Sequence, residues 1–107
     1  MSQFRGGMNE LMRQAARMQR KIDATKQELS TREVTSTSLG DKVKATVTYG
    51  RRVVKIELDP ELIGQEGIDT ALDGVCAAVN AAMELADKAM EAELEKVTGG
   101  VKVPGVL

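Results

Sequence analysis

The sequence predicts an α+β fold made of a long helix, a three-stranded antiparallel sheet and a second long helix, in that order. Three observations carry this. Apolar residues recur at helical spacing near each end of the chain, an alternating pattern fills the middle, and Gly6-Gly7, Gly50, Asp59-Pro60 and Gly99-Gly100 stand where the pattern changes.

The first helix is expected over residues 8–30, after Gly6-Gly7, in a run of helix formers without Pro or Gly. Met8, Leu11, Ala15, Met18, Ile22, Thr25 and Leu29 are spaced alternately by three and four, a heptad seam broken only by Thr25. At 1.5 Å per residue such a helix is roughly 35 Å long, more than so small a chain can cover alone.

Glu33 to Ser38, rich in Thr and Ser, reads as a weak edge strand closed by a turn through Gly40. Val43, Ala45, Val47 and Tyr49 then alternate with Lys42, Lys44, Thr46 and Thr48, and Gly50-Arg51 turns the chain. Val54, Ile56 and Leu58 alternate in turn with Val53, Lys55 and Glu57, which predicts a hairpin with one buried face.

Asp59-Pro60 is a helix start, with Asp as cap and Pro at the first helical position, and Gly64 is expected to stop that turn. The second long helix is expected over residues 68–97, with a seam of Leu72, Val75, Val79, Ala82, Met83, Ala86, Met90, Leu94 and Val97. The alanines recurring from Ala77 to Ala92 permit close approach of a neighbouring helix. Gly99-Gly100 ends it, and a tail containing Pro104 completes the chain. The whole, residues 1–107, is expected to be one domain with flexible ends at about 1–7 and 99–107.

Composition narrows the function. Phe4 and Tyr49 are the only aromatic residues, so the core must be aliphatic and thin, and a chain of this size then gains most from oligomerisation. No apolar run approaches a membrane span and the N-terminus lacks the apolar core of a signal peptide, so a cytoplasmic location is expected. The lone Cys76, between Val75 and Ala77, is expected to be a buried, inert thiol. With no His there is no imidazole base, no Ser-His or Cys-His pair and no His ligand for a transition metal. Catalytic residues, a bound metal, a cofactor and a small-molecule substrate are accordingly not expected.

Charge divides along the chain. Residues 1–56 hold twelve Lys/Arg against five Asp/Glu, whereas residues 57–96 hold Lys88 and Lys96 against eleven Asp/Glu. The first half therefore suits an anionic partner, unless the two halves pair with each other. On a helical wheel Arg13, Arg17, Arg20 and Lys21 fall within an arc of roughly 100°, opposite Leu11, Ala15, Met18 and Ile22. Such a row fits phosphates along a nucleic acid backbone, and the forked Arg guanidinium matches phosphate oxygens well. The alternative is a solvated polar face, with Glu10 and Glu28 on the same side. Lys42, Lys44, Arg51 and Arg52 form a second basic group, more readily understood as protection of a strand edge. Glu84, Asp87, Glu91, Glu93 and Glu95 on the last helix show no metal-loop spacing and read as a solvated face.

The segment Asn9-Glu10-Leu11-Met12-Arg13-Gln14-Ala15-Ala16-Arg17-Met18-Gln19-Arg20-Lys21 resembles the opening helix of the YbaB/EbfC nucleoid-associated proteins, close to N-x-L-M-K-Q-A-Q-x-M-Q. Gly50, followed by Val54, Ile56, Leu58-Asp59-Pro60 and Leu62, is similar to that family's G…v-x-I-D-P-x-L segment. The tail Gly99-Gly100-Val101-Lys102-Val103-Pro104-Gly105 is similar to its closing G-x-x-x-P-G. Ala16 departs from the pattern, standing where the family has a second Gln, and the hairpin at Gly50 is short. The resemblance implies a homodimer whose strands meet centrally while long helices project as arms, and non-catalytic binding of double-stranded DNA with little sequence preference, at the nucleoid. Arg13, Arg17, Arg20 and Lys21 are then the expected contacts, with Arg5 as an extra one at the flexible N-terminal end. The rival expectation is a coiled-coil, prefoldin-like clamp for proteins, worked by Phe4, Met8 and Met12.

Overall fold

A computed structural model describes the backbone of residues 2–100 and the side chains of residues 6–100. The element order is α1 (Ser2–Leu29), β1 (Glu33–Ser38), β2 (Val43–Thr48), β3 (Val53–Leu58), α2 (Pro60–Glu66) and α3 (Ile68–Thr98). Three antiparallel strands lie in the order β1-β2-β3, so the expected fold class is the observed one. The molecule is elongated, 76 × 19 × 17 Å, with a radius of gyration of 20.5 Å. A compact chain of about 100 residues would have roughly 13 Å.

Helix α1 begins earlier than its sequence punctuation implies. Gly6-Gly7 do not bound it; the helix runs through them from Ser2. Two glycines cost about 1 kcal/mol each in a helix interior, too little to stop a helix of 28 residues.

The hairpins follow the predicted alternation. Val43, Ala45 and Val47 on β2 are fully buried. Val34, Ser36 and Ser38 pair with Val47, Ala45 and Val43, which puts those side chains on the same face. Helix α3 lies across that face over β1 and β2 and barely reaches β3. The expectation that the β2–β3 hairpin buries one whole face is therefore corrected. Ile56 pairs with Ala45 yet is 38 % exposed, and Val53 and Val54 are about half exposed.

Two further corrections concern α2 and α3. Asp59 caps α2 as expected, its Oδ1 accepting from the Glu61 N–H at 3.0 Å. Gly64, however, lies inside α2, and the break falls at Gly67, whose φ of 88° suits glycine. The buried stripe of α3 is Ala71, Gly74, Ala78, Ala82, Ala86, Leu94 and Thr98. Only Ala82, Ala86 and Leu94 of the expected seam are fully buried, while Leu72 is 54 % exposed. The small residues go against the sheet because they let the helix approach it closely. At Gly74 a Cβ would come within 2.6 Å of the Leu39 side chain, and the Ser38 hydroxyl donates to the Gly74 carbonyl at 2.6 Å. Cys76 lies on the other side of α3 and is exposed, against the expectation of a buried thiol.

Candidate nucleic-acid interface

The root of α1 is held and its tip is free. Ile22 and Leu29 are buried where α1 runs beside α3, and Met18 is half-buried at the end of that contact. Beyond it the seam continues with nothing against it among the described residues. Met8, Leu11 and Met12 are 51 to 65 % exposed, and Ala15 is exposed as well. The seam thus outruns α3 by about two heptads, and the first half of α1 projects as an arm.

Two turns fix the direction of that arm. The Gly50 N–H donates to the Ser30 carbonyl at 3.0 Å and the Tyr49 N–H to the Arg32 carbonyl at 2.8 Å, so the β2–β3 turn grips the end of α1. A Cβ on Gly50 would stand 2.9 Å from that same Ser30 oxygen, a contact only glycine avoids. Arg51 of the turn then pairs with Asp87 of α3, whose hydrogen bond, and secondarily charge, raises the guanidinium pKa above its ordinary value.

The expected contact residues divide by position. Arg13, Arg17, Arg20 and Lys21 are all exposed along the outside of α1, away from the seam. They span about 12 Å of helix, the axial length of three to four base pairs. Glu10 shares that face, with one oxygen 3.7 Å from Arg13 and the other 3.3 Å from Arg17. Arg20 and Lys21 make no side-chain hydrogen bond or ion pair among the described residues. The Arg5 side chain lies outside the described residues. Sequence patterning signalled Glu10 on the cationic arc but not its contact with both arginines, which depends on rotamers.

The second basic group is tied to the body of the molecule. Arg51 pairs with Asp87, Lys42 donates to Gln65 at 3.1 Å, and Lys44 and Arg52 are exposed. Arg32 adds a contact to Glu93 at 3.9 Å, and Glu93 also meets Lys96 at 3.1 Å. The acidic residues of α3 thus partly neutralise cations of the sheet region. They form ion pairs with Arg32, Arg51 and Lys96, none of them on the arc of α1. An open cleft of about 820 Å³ between the root of α1, the Gly50 turn and α3 presents Asp23, Lys26, Arg51, Asp87 and Glu91, a mixture of both signs. No helix among the described residues is long and apolar enough to cross a membrane.

A short sheet covered by one helix, with a helical arm that carries exposed cations extending from it, is the arrangement the described residues define. The profile of the YbaB/EbfC DNA-binding family matches residues 5–101, and the chain belongs to that family. It is 35 % identical over 105 residues to a nucleoid-associated protein of Thermoanaerobacter pseudethanolicus, covering 96 % of this chain and 95 % of that one. A nucleoid-associated protein of Caldanaerobacter subterraneus is 36 % identical over 105 residues, with the same coverage. One from Clostridium acetobutylicum is 31 % identical, covering 94 % and 90 % of the two chains. Among solved structures, an uncharacterized protein of Helicobacter pylori shares the fold with a TM-score of 0.69 at 14 % identity, over 85 % of this chain and 96 % of that chain.

Proposed function

We propose that this protein is a non-catalytic, nucleoid-associated DNA-binding protein that acts as a homodimer and holds duplex DNA by its phosphates with little regard to sequence. The observation that carries the reading is the separation of charge. Arg13 and Arg17 lie exposed on an arm that leaves the acidic helix α3 behind, and Arg20 and Lys21 continue the exposed row along the outside of its root. Cations placed so keep their field for an external polyanion instead of spending it on Asp87 or Glu93. Phosphate contacts position a protein without reading bases, which accounts for the sequence independence. Arg5, near the tip of the same helix, extends the proposed contact set. Membership of a DNA-binding family and the nucleoid-associated relatives support the same partner.

Dimerisation is supported by apolar surface left bare on the single chain. Val54 and Ile56 on the open edge strand, and Ile68 and Leu72 on α3, are between 38 and 54 % exposed. Large apolar side chains left this open on two neighbouring elements suit a protein contact, and an unpaired strand edge invites another chain. A second copy covering them makes residues 1–107 one domain of a two-armed assembly.

The test is a salt series with unrelated duplexes. Three or four phosphates neutralised per protomer give a log–log slope of roughly −5 to −7 for a dimer. Replacing Arg13 and Arg17 together by Ala removes four charges from the dimer and flattens the slope by about three to four. A folded double variant with the parent's affinity and slope on every duplex sinks the assignment. The clamp reading, for which exposed Met8 and Met12 speak, would then take its place.

A further inference from the structure

The heptad of α1 does not stop where α3 does. With Met8, Ala15, Ile22 and Leu29 at its a positions and Leu11, Met18 and Thr25 at d, the seam keeps one phase from arm to root. At the root α3 covers it: Ile22 and Leu29 are buried and Met18 is half-buried. On the arm the same seam is bare among the described residues, with Met8 51 % and Leu11 64 % exposed and Ala15 exposed between them and Met18. Coiled-coil spacing kept over residues 8–18, about 15 Å of helix, is a surface shaped for another helix.

The residues beside the seam point to a second arm as that helix. In a coiled coil the e and g positions carry the charges that choose or reject a partner. At the root they hold Lys21, Lys26 and Glu28, whereas on the arm they hold Gly7, Met12 and Gln14, none of them charged. Two arms therefore meet without like charges facing each other. The seam is also complementary to itself when reversed. Antiparallel coiled coils set a against d, which lays Leu11 of each arm over Ala15 of the other and Met8 over Met18. Large then meets small, where parallel pairing would set two alanines together and leave a gap. Arg13 and Arg20 fall at f and Arg17 at c, on the outer side. We propose that the arm of one dimer pairs antiparallel with the arm of another through residues 8–18, and that this contact bridges two DNA duplexes. The cationic arcs of the paired arms face away from each other, so each holds its own duplex. About ten residues a side is fewer than the roughly 20–30 of a standard interface, so the contact is weak between free dimers and gains from crowding on DNA. The bridging rests on the DNA reading above; the contact does not.

Cross-linking without DNA, in the full chain with Cys76→Ala, tests the contact. Mixed Leu11→Cys and Ala15→Cys chains at high concentration should form a disulfide with each other several-fold faster than either forms one with itself. The linked species should sediment at about twice the mass of the unlinked protein. Arg13→Cys, on the outer side of α1, should link to Ala15→Cys only slowly. Bridging is read by capture of a free labelled duplex on beads that carry a second duplex. Met8→Gln with Leu11→Gln alters no charge and keeps a good helix former at both sites. It should bind a single duplex as the parent does and capture the second several-fold less. Faster linking of Leu11→Cys to itself than to Ala15→Cys, a linked species no heavier than the unlinked protein, or equal capture by parent and variant overturns the proposal. Slow linking in every mixture, with the arm instead protected by an added unfolded protein, assigns the stripe to clients and overturns it as well. A parent that binds no duplex would overturn the bridging together with the DNA reading, and the cross-link alone would then decide the contact.

Discussion

The guanidinium of Arg17 donates to Glu10 at 3.3 Å across two turns of α1. Glu10 thus occupies the cationic face that we assign to DNA, and holds Arg13 at 3.7 Å as well. Both pairs are exposed and add little to stability. Their effect is on the field outside the helix. Glu10→Gln should tighten DNA binding at low salt, by about tenfold or less, and should not change folding. The gain should fade as salt rises, because the interaction removed is screened. Titration at two salt concentrations checks this; unaltered or weaker affinity at low salt would place the DNA elsewhere.

The two exposed apolar groups on β3 and α3 predict a dimer that a single charge can split. Leu72→Asp places a carboxylate on the bare side of α3 and should give a species near the chain mass of 11.5 kDa, where the parent sediments at about twice that value. The variant should also lose the concentration dependence of its melting temperature. A Leu72→Asp chain that remains a dimer would show that this face is not the contact.

Cys76 shares the exposed side of α3 with Leu72 and is open to solvent in the single chain. A partner covering Leu72 should cover this thiol. Labelling should be slow in the parent at micromolar concentration and fast in Leu72→Asp without denaturant. Equally rapid labelling of both proteins would mean that the thiol remains open in the dimer.

Two glycines should respond to alanine in opposite directions. At Gly50 the new Cβ would stand 2.9 Å from a backbone oxygen of Ser30, which cannot swing aside. Gly50→Ala should cost about 1 to 3 kcal/mol and loosen the root of α1. At Gly64, inside α2, nothing lies within 4 Å of an added Cβ. Gly64→Ala should stabilise by about 0.5 to 1 kcal/mol through helix propensity and the restricted unfolded chain. Denaturant midpoints at fixed protein concentration decide both.

The order of elements, the register-defining alternation of Val43, Ala45 and Val47, and the cationic arc on α1 could be read from the sequence because each is a local periodicity. A heptad or a two-residue repeat states which residues share a face, and the backbone geometry of helix and strand makes that statement nearly independent of the rest of the chain. Periodicity does not say what a face meets. Leu72 and Val75 formed the stronger apolar pattern on α3, yet Ala71, Gly74 and Ala78 face the sheet, since only small residues allow the approach that Ser38 and Leu39 make to Gly74. The exposure of Cys76 and of Ile56 resulted from that choice and from α3 stopping short of β3. The tertiary structure alone also decided where α3 ends relative to α1. That offset, set by how Ile22 and Leu94 are buried, leaves Arg13 and Arg17 beyond the acidic helix while Arg32 and Arg51 are drawn to Glu93 and Asp87. Sequence determines which residues are cationic; packing determines which of them acid residues of the same chain can reach, because Coulomb attraction depends on distances that local patterning does not set.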